Sequence, residues 1–106
     1  MRRLGIAVVV GIACGSVAAY AAQRSISQKD KAFSDTEVSI KVGDEIVFVN
    51  DDSITHNILS NNAGNTFNLG SQAPGVTVSY AFKNAGEVDV GCGIHPRMKL
   101  KVTVSN

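Results

Sequence analysis

Apolar and polar residues alternate through most of the chain beyond position 35. In "TEVSIKV", Val38, Ile40 and Val42 share one face, and Glu37, Ser39 and Lys41 share the other. "EIVFVN" puts Ile46 and Phe48 on one side. "GVTVSYAF" sets Val76, Val78, Tyr80 and Phe82 against Thr77, Ser79 and Ala81. "MKLKVTV" sets Met98, Leu100, Val102 and Val104 against Lys99, Lys101 and Thr103. A period of two with β-branched and aromatic enrichment predicts half-buried strands. Turn-forming clusters separate them at 43–44, 50–52, 61–65, 73–75 and 84–87. Short strands broken this regularly predict an all-β sandwich or barrel whose sheets each keep one wet face. Beyond Ala22 there is no sustained helical period and no repeat.

The first residues follow another rule. "MRR" is a positive start, "LGIAVVVGIA" an apolar run, and "AYA" at Ala19–Ala21 a small-x-small cleavage signal. Residues 1–21 are therefore expected to be an export signal and residues 22–106 the mature domain. Two other readings of the same stretch stay open. Leu4 to Ala22 is an uncharged run of 19 residues, long enough to remain as a membrane anchor. Cys14 is a candidate for lipidation, although Gly11 stands where such signals usually carry a larger aliphatic residue. All three readings place the domain outside the cytoplasm, in the periplasm or otherwise exported.

The whole chain of 106 residues carries a net charge of +1. Without Arg2 and Arg3 it has 8 basic and 9 acidic residues, so composition gives no reason to expect a nucleic-acid partner. The mature part is large enough to bury a core and fold, with little margin. Small exported domains often add disulfides, but Cys92 is the single cysteine once Cys14 is gone. A lone thiol in an oxidising compartment is a liability unless something occupies it.

"GCGIHPRM" places a thiol, an imidazole and a thioether close together at Cys92, His95 and Met98. The other histidine, His56, lies in "SITHNILS" after the turn at "NDD". Its separation from Cys92 suits two strands of one sandwich. Each residue alone has an ordinary reading: a hydrogen-bonded histidine, a weak C-x2-H pair, a core methionine. Together they form a two-histidine, one-cysteine, one-methionine set, and that set selects copper. Structural zinc sites prefer more cysteine, and iron–sulfur clusters need more thiolates. Asp51 and Asp52 read as a solvated turn. Arg97, Lys99 and Lys101 read as alternate residues on one exposed strand face, and Tyr80 and Phe82 as core.

From Ile26 to Val104 the chain resembles the cupredoxins, the small blue-copper fold. "FSDTEVSIKVGDEIVFVNDDSITHNI" is similar to the stretch that ends in that family's first histidine ligand. "CGIHPRM" is similar to the short C-x2-H-x2-M ligand loop of amicyanin-like members. The resemblance implies a Greek-key β-sandwich and one type 1 copper ion cycling between Cu(I) and Cu(II). It implies His56, Cys92, His95 and Met98 as ligands, and an Asn57 backbone N–H bonded to the cysteine sulfur. Asn50 is placed to pin the loop before His56. The chain departs from many relatives at Val90, where an aromatic is common, and at Leu100, where close relatives often have glycine.

The implied function is a soluble, monomeric electron carrier that docks transiently, near His95, with a donor and an acceptor protein. The alternatives are a copper-binding or delivery protein without a redox partner, and a domain that serves a larger oxidase complex in trans. Delivery proteins tend to use open sites rich in methionine and histidine, and only Met98 follows the signal. An enzyme is not expected, because four filled ligand positions leave none for substrate.

Overall fold

A computed structural model describes residues 21–106, so the expected signal segment lies, except for Ala21, outside the described residues. These residues form nine strands and contain no helix. In chain order they are β1 (Gln23–Lys29), β2 (Ala32–Phe33), β3 (Glu37–Lys41), β4 (Glu45–Asn50), β5 (Ile58–Ser60), β6 (Phe67–Asn68), β7 (Thr77–Ala81), β8 (Gly86–Cys92) and β9 (Lys99–Ser105).

Two sheets form the sandwich. One has the order β3-β9-β8-β5-β6 and the other β2-β1-β4-β7. Most neighbours are antiparallel, but β3 pairs with β9 and β1 pairs with β4 in parallel. β9 shows best why the sequence folds this way. Its even-numbered residues Leu100, Val102 and Val104 are buried and its odd-numbered lysines and threonine face solvent. A slip of one residue would reverse both faces, so burial fixes the register.

The core lies between the sheets. Ile26, Ile46 and Phe48 enter it from one side and Ile58, Val88, Val90, Leu100 and Val102 from the other. Phe67 of β6 crosses to the opposite sheet and stacks on Tyr80 at a centroid distance of 4.0 Å. Phe82 meets both rings edge-on, at 5.9 Å and 4.9 Å. Tyr80 and Phe82 thus belong to the core, as expected. Such offset and edge contacts add to the gain from burying aromatic area.

Three local features depart from the alternation. Val42 and Val76 are 40% and 41% exposed although the pattern assigns both to an inward face. β3 ends at Lys41 and β7 begins at Thr77, so both valines sit in turns beside Gly43 and Gly75, which adopt positive φ. β1 was hidden because its inward face carries only one apolar residue, Ile26. Its second buried residue is Gln28, whose Nε2 donates to Gln72 Oε1 at 2.6 Å.

Candidate metal centre

His56 follows β4 after a tight loop. Asn50, the last residue of β4, holds that loop from inside. Its Nδ2 donates to the carbonyls of Ile54 and Gln72, both at 2.9 Å, and its Oδ1 accepts the Asp52 N–H at 2.9 Å. The expected pinning role of Asn50 is therefore present in the fold. His56 then exchanges backbone bonds with Gln72, at 3.0 Å and 2.7 Å. These contacts leave the fully buried imidazole little freedom.

Cys92 ends β8 and His95 sits in the loop from β8 to β9. The Met98 N–H donates to the His95 carbonyl at 3.0 Å and closes this loop as a turn. Cys92 and Met98 are buried, His95 is half-buried, and Ile94, Pro96 and Arg97 are exposed.

The ring nitrogens Nδ1 of His56 and of His95 both lie 3.6 Å from Cys92 Sγ. The three ligand atoms fall within 4.8 Å of one another. A nitrogen at about 2.0 Å and a sulfur at about 2.3 Å from one metal ion would lie roughly 3.6–3.8 Å apart, using lengths typical of zinc sites. The observed spacing therefore fits a single ion between the three. A metal-free pairing would need the thiol to donate to one ring and accept an N–H from the other, whereas one ion accounts for both equal approaches with the same ligand role for each ring.

The tautomer of His56 supports the same conclusion. Its Nε2 lies 2.9 Å from Asp52 Oδ2. An ionised carboxylate only accepts, so Nε2 carries a hydrogen, and the neutral ring then presents the Nδ1 lone pair to the site. Asp52 is thus not the solvated turn residue expected from sequence. Its side chain is 8% exposed. The carboxyl is held down at about 2, first by the Lys31 N–H and then by His56. Lys31 donates to that same Oδ2 at 2.9 Å. Asp30 and Lys31 form the β1–β2 turn with φ of 54° and 59°, a conformation that costs non-glycine residues energy. The bond to Asp52 helps offset that cost.

Asn57 is the other clamp. Its backbone N–H points at Cys92 Sγ from 3.3 Å, as the resemblance implied. Its carbonyl accepts the Gly93 N–H at 2.8 Å, and its side chain donates to Asn68 and to the Gly70 carbonyl. A Cβ on Gly93 would meet Asn57 Oδ1 at 2.6 Å. Glycine after the cysteine is thus a steric requirement of the clamp.

The basic residues are arranged differently from the expected strand face. β9 begins at Lys99, so Arg97 belongs to the ligand loop. Arg97, Lys99 and Lys101 line a trough of about 830 Å³ whose other walls include Leu59, Asn61 and Gly91.

An all-β sandwich that brings together two histidines and a cysteine in this order is a cupredoxin. The chain belongs to the plastocyanin/azurin family of copper binding proteins, whose family model matches residues 20–105. It is 30% identical over 106 residues to the methylamine utilization protein MauL of Methylorubrum extorquens, covering 99% of this chain and 93% of that one. Among solved structures it is similar to a purple cupredoxin from Nitrosopumilus maritimus, with 28% identity and a TM-score of 0.69. That match covers 77% of this chain and 99% of the other. A reduced amicyanin variant gives 25% identity and a TM-score of 0.70 over 77% of this chain and 81% of its own. Copper is accordingly the metal of this fold, and the donor set of one thiolate and two imidazoles fits it.

Asp52 orients a candidate ligand without touching the metal position. Loss of such a partner typically costs about 10–100-fold in metal affinity. Asp52→Asn should weaken copper binding by that order in a competition titration. An unchanged affinity would show that the carboxylate is dispensable.

Proposed function

We propose that this protein is an exported electron carrier in which His56, Cys92, His95 and Met98 hold one type 1 copper ion. The observation that carries the reading is the pair of 3.6 Å approaches to Cys92 Sγ from two imidazoles, with the Asn57 N–H on the same sulfur. Copper bound there supplies one-electron Cu(II)/Cu(I) chemistry. The residues supply a rigid setting for it. His56 is held by Asp52 and by the loop that Asn50 pins, and Cys92 by the β5–β8 ladder. Buried Met98, whose N–H closes the turn from His95, would add a soft thioether. Ligands held this firmly move little between the two oxidation states, so the reorganisation that slows electron transfer stays small.

The electron leaves through His95. Its ring is half-buried, and its Nε2 has no protein hydrogen-bond partner among the described residues. Ile94, 50% exposed, and exposed Pro96 give the surface around it an apolar character. Arg97 and Lys99 stand at one side and favour a partner with an acidic docking surface. Complementary charge of this kind mainly raises the encounter rate and is screened by salt. The small apolar contact suits a complex that forms briefly and releases.

The decisive measurement is the visible spectrum of the copper-loaded, air-oxidised protein. An intense thiolate-to-copper band is expected, and Cys92→Ser should abolish it even where copper still binds. A Cys92→Ser protein with the full band would sink the assignment. A wild type that binds copper without such a band would favour the delivery reading.

Met98 is proposed as a weak ligand that would tune the metal. Met98→Gln replaces the thioether with a harder oxygen donor that favours Cu(II). Its reduction potential should fall below that of the wild type while copper is retained. A raised potential in side-by-side redox titrations contradicts this role.

The basic rim is tested with hexacyanoferrate(III), an anionic oxidant, by stopped flow against the reduced protein. The rate should fall as ionic strength rises, and fall several-fold at low salt in Arg97→Glu/Lys99→Glu. A rate indifferent to both changes would remove the rim from the docking model.

A further inference from the structure

At the pole opposite the ligands, the structure shows an acceptor waiting for a particular nitrogen. The backbone nitrogen of Ala22 donates to Asp44 Oδ1 at 3.0 Å. The other oxygen, Oδ2, accepts the Lys41 N–H at 2.9 Å. Asp44 also closes the β3–β4 turn through its own N–H, bonded to the Lys41 carbonyl at 2.9 Å. The Ala22 carbonyl accepts the Glu45 N–H at 3.0 Å, so this residue is fixed at both of its polar atoms. Ala21 and Ala22 are exposed and precede the first ladder residue, Gln23. A groove of about 470 Å³ lined by Ala22, Lys41, Asp44 and Ser105 opens beside them.

We propose that the Ala21–Ala22 bond is a processing site and that the α-ammonium group released on Ala22 forms an ion pair with Asp44. The sequence motif and the fold meet at the same bond. Ala19 and Ala21 fit a peptidase that cuts after small-x-small. Hydrolysis adds water across the amide and the C–N bond breaks. The hydroxyl goes to the Ala21 carbonyl carbon, giving a carboxylate. The Ala22 nitrogen leaves as an amine and takes a proton, since an α-amino group has an ordinary pKa of about 7.7–8.0. An uncleaved chain offers Asp44 one amide hydrogen from Ala22. The cleaved chain offers three ammonium hydrogens and a charge, and charge-assisted hydrogen bonds are roughly twice as strong as neutral ones. The groove leaves the added hydrogens open to water.

Asp44 is prepared for this pairing. Its carboxyl lies below the ordinary carboxylate range, first because of the Lys41 N–H and then because of the Ala22 N–H. It is therefore ionised at neutral pH, where the amine is still largely protonated. Lys41 opposes the ammonium as a like charge. Glu45 is engaged elsewhere, by the side chains of Gln23 and Ser79.

The proposal rests on the exported part of the functional reading and not on copper. Failure here therefore leaves the spectroscopic test of the metal site untouched. The full chain with its leader is expressed in a bacterium and the copper-loaded product is weighed by intact mass spectrometry. A product that begins at Ala22 is expected, and one that begins elsewhere or keeps residues 1–21 overturns the assignment.

The ion pair is tested by a thermal cycle on the Ala22-start protein. Free and Nα-acetylated forms are compared with Asp44 and with Asp44→Asn at low salt. Acetylation should lower the midpoint by a few degrees with Asp44 and leave it unchanged with Asp44→Asn. An equal shift in both backgrounds overturns the pair. If Asp44→Asn does not fold, NMR titration of the Ala22 α-amino group decides. A midpoint above the ordinary range supports the pair, and an ordinary midpoint rejects it.

Discussion

The sulfur of Cys92 sits where two imidazole nitrogens and one backbone amide converge, and most of the local structure follows from keeping it there. A buried thiolate without compensation would be costly. The Asn57 N–H supplies part of the compensation, and a metal ion held there would supply the rest. That N–H reaches the sulfur because β5 and β8 pair with Ile58 opposite Cys92. The Gly93 N–H then closes onto the Asn57 carbonyl. Gly93 has no room for a side chain, since Asn57 fills that space. The bond to sulfur depends on this register, and the Asn57 side chain on the glycine.

A polar network around His56 does for the first histidine what the ladder does for the cysteine. Asp52 fixes the tautomer, Lys31 fixes Asp52, Asn50 fixes the loop, and Gln72 brackets the backbone of His56. Gln72 is held in turn by its Nε2 bonds to the carbonyls of Phe48 and Val76 and by Gln28. Most members of this network are buried, where hydrogen bonds are strong and a missing partner is expensive. Gln28 Oε1 is the single buried side-chain acceptor without a partner among the described residues. An all-hydrophobic core would pack this region without such a cost, but it would not aim an imidazole.

The two ends of the sandwich therefore have different roles. The end that carries His56, Cys92 and His95 combines a rigid interior with an exposed loop, which suits a site that must hold its geometry and still be reached. The opposite end gathers the β3–β4 turn and the start of β1 around Asp44, where hydrogen bonds join the two. Between them the aromatic cluster of Phe67, Tyr80 and Phe82 locks one sheet to the other.

The sequence by itself determined the all-β class, because period-two burial in segments such as Leu100 to Val104 leaves no other regular structure. It also determined the set of candidate donors, since His56, Cys92, His95 and Met98 combine donor types that few metals share. Its reading failed where the cause was not local. β1 was invisible because a buried glutamine replaces a hydrophobic residue, and only a partner 44 positions away makes that tolerable. Val42 and Val76 looked inward because alternation does not show where a strand stops. Asp52 looked like a turn residue because the two partners that hold its Oδ2, the Lys31 amide and the His56 ring, come from a separate hairpin and from the far end of its own loop. Arg97 looked like a strand residue, but the turn closed by the Met98 N–H ends before β9 begins. For Gln28 and Asp52 tertiary structure decided the outcome, because a polar side chain's meaning is set by hydrogen-bond partners that the chain brings from elsewhere in the fold, and for Val42, Val76 and Arg97 it decided where each strand stops.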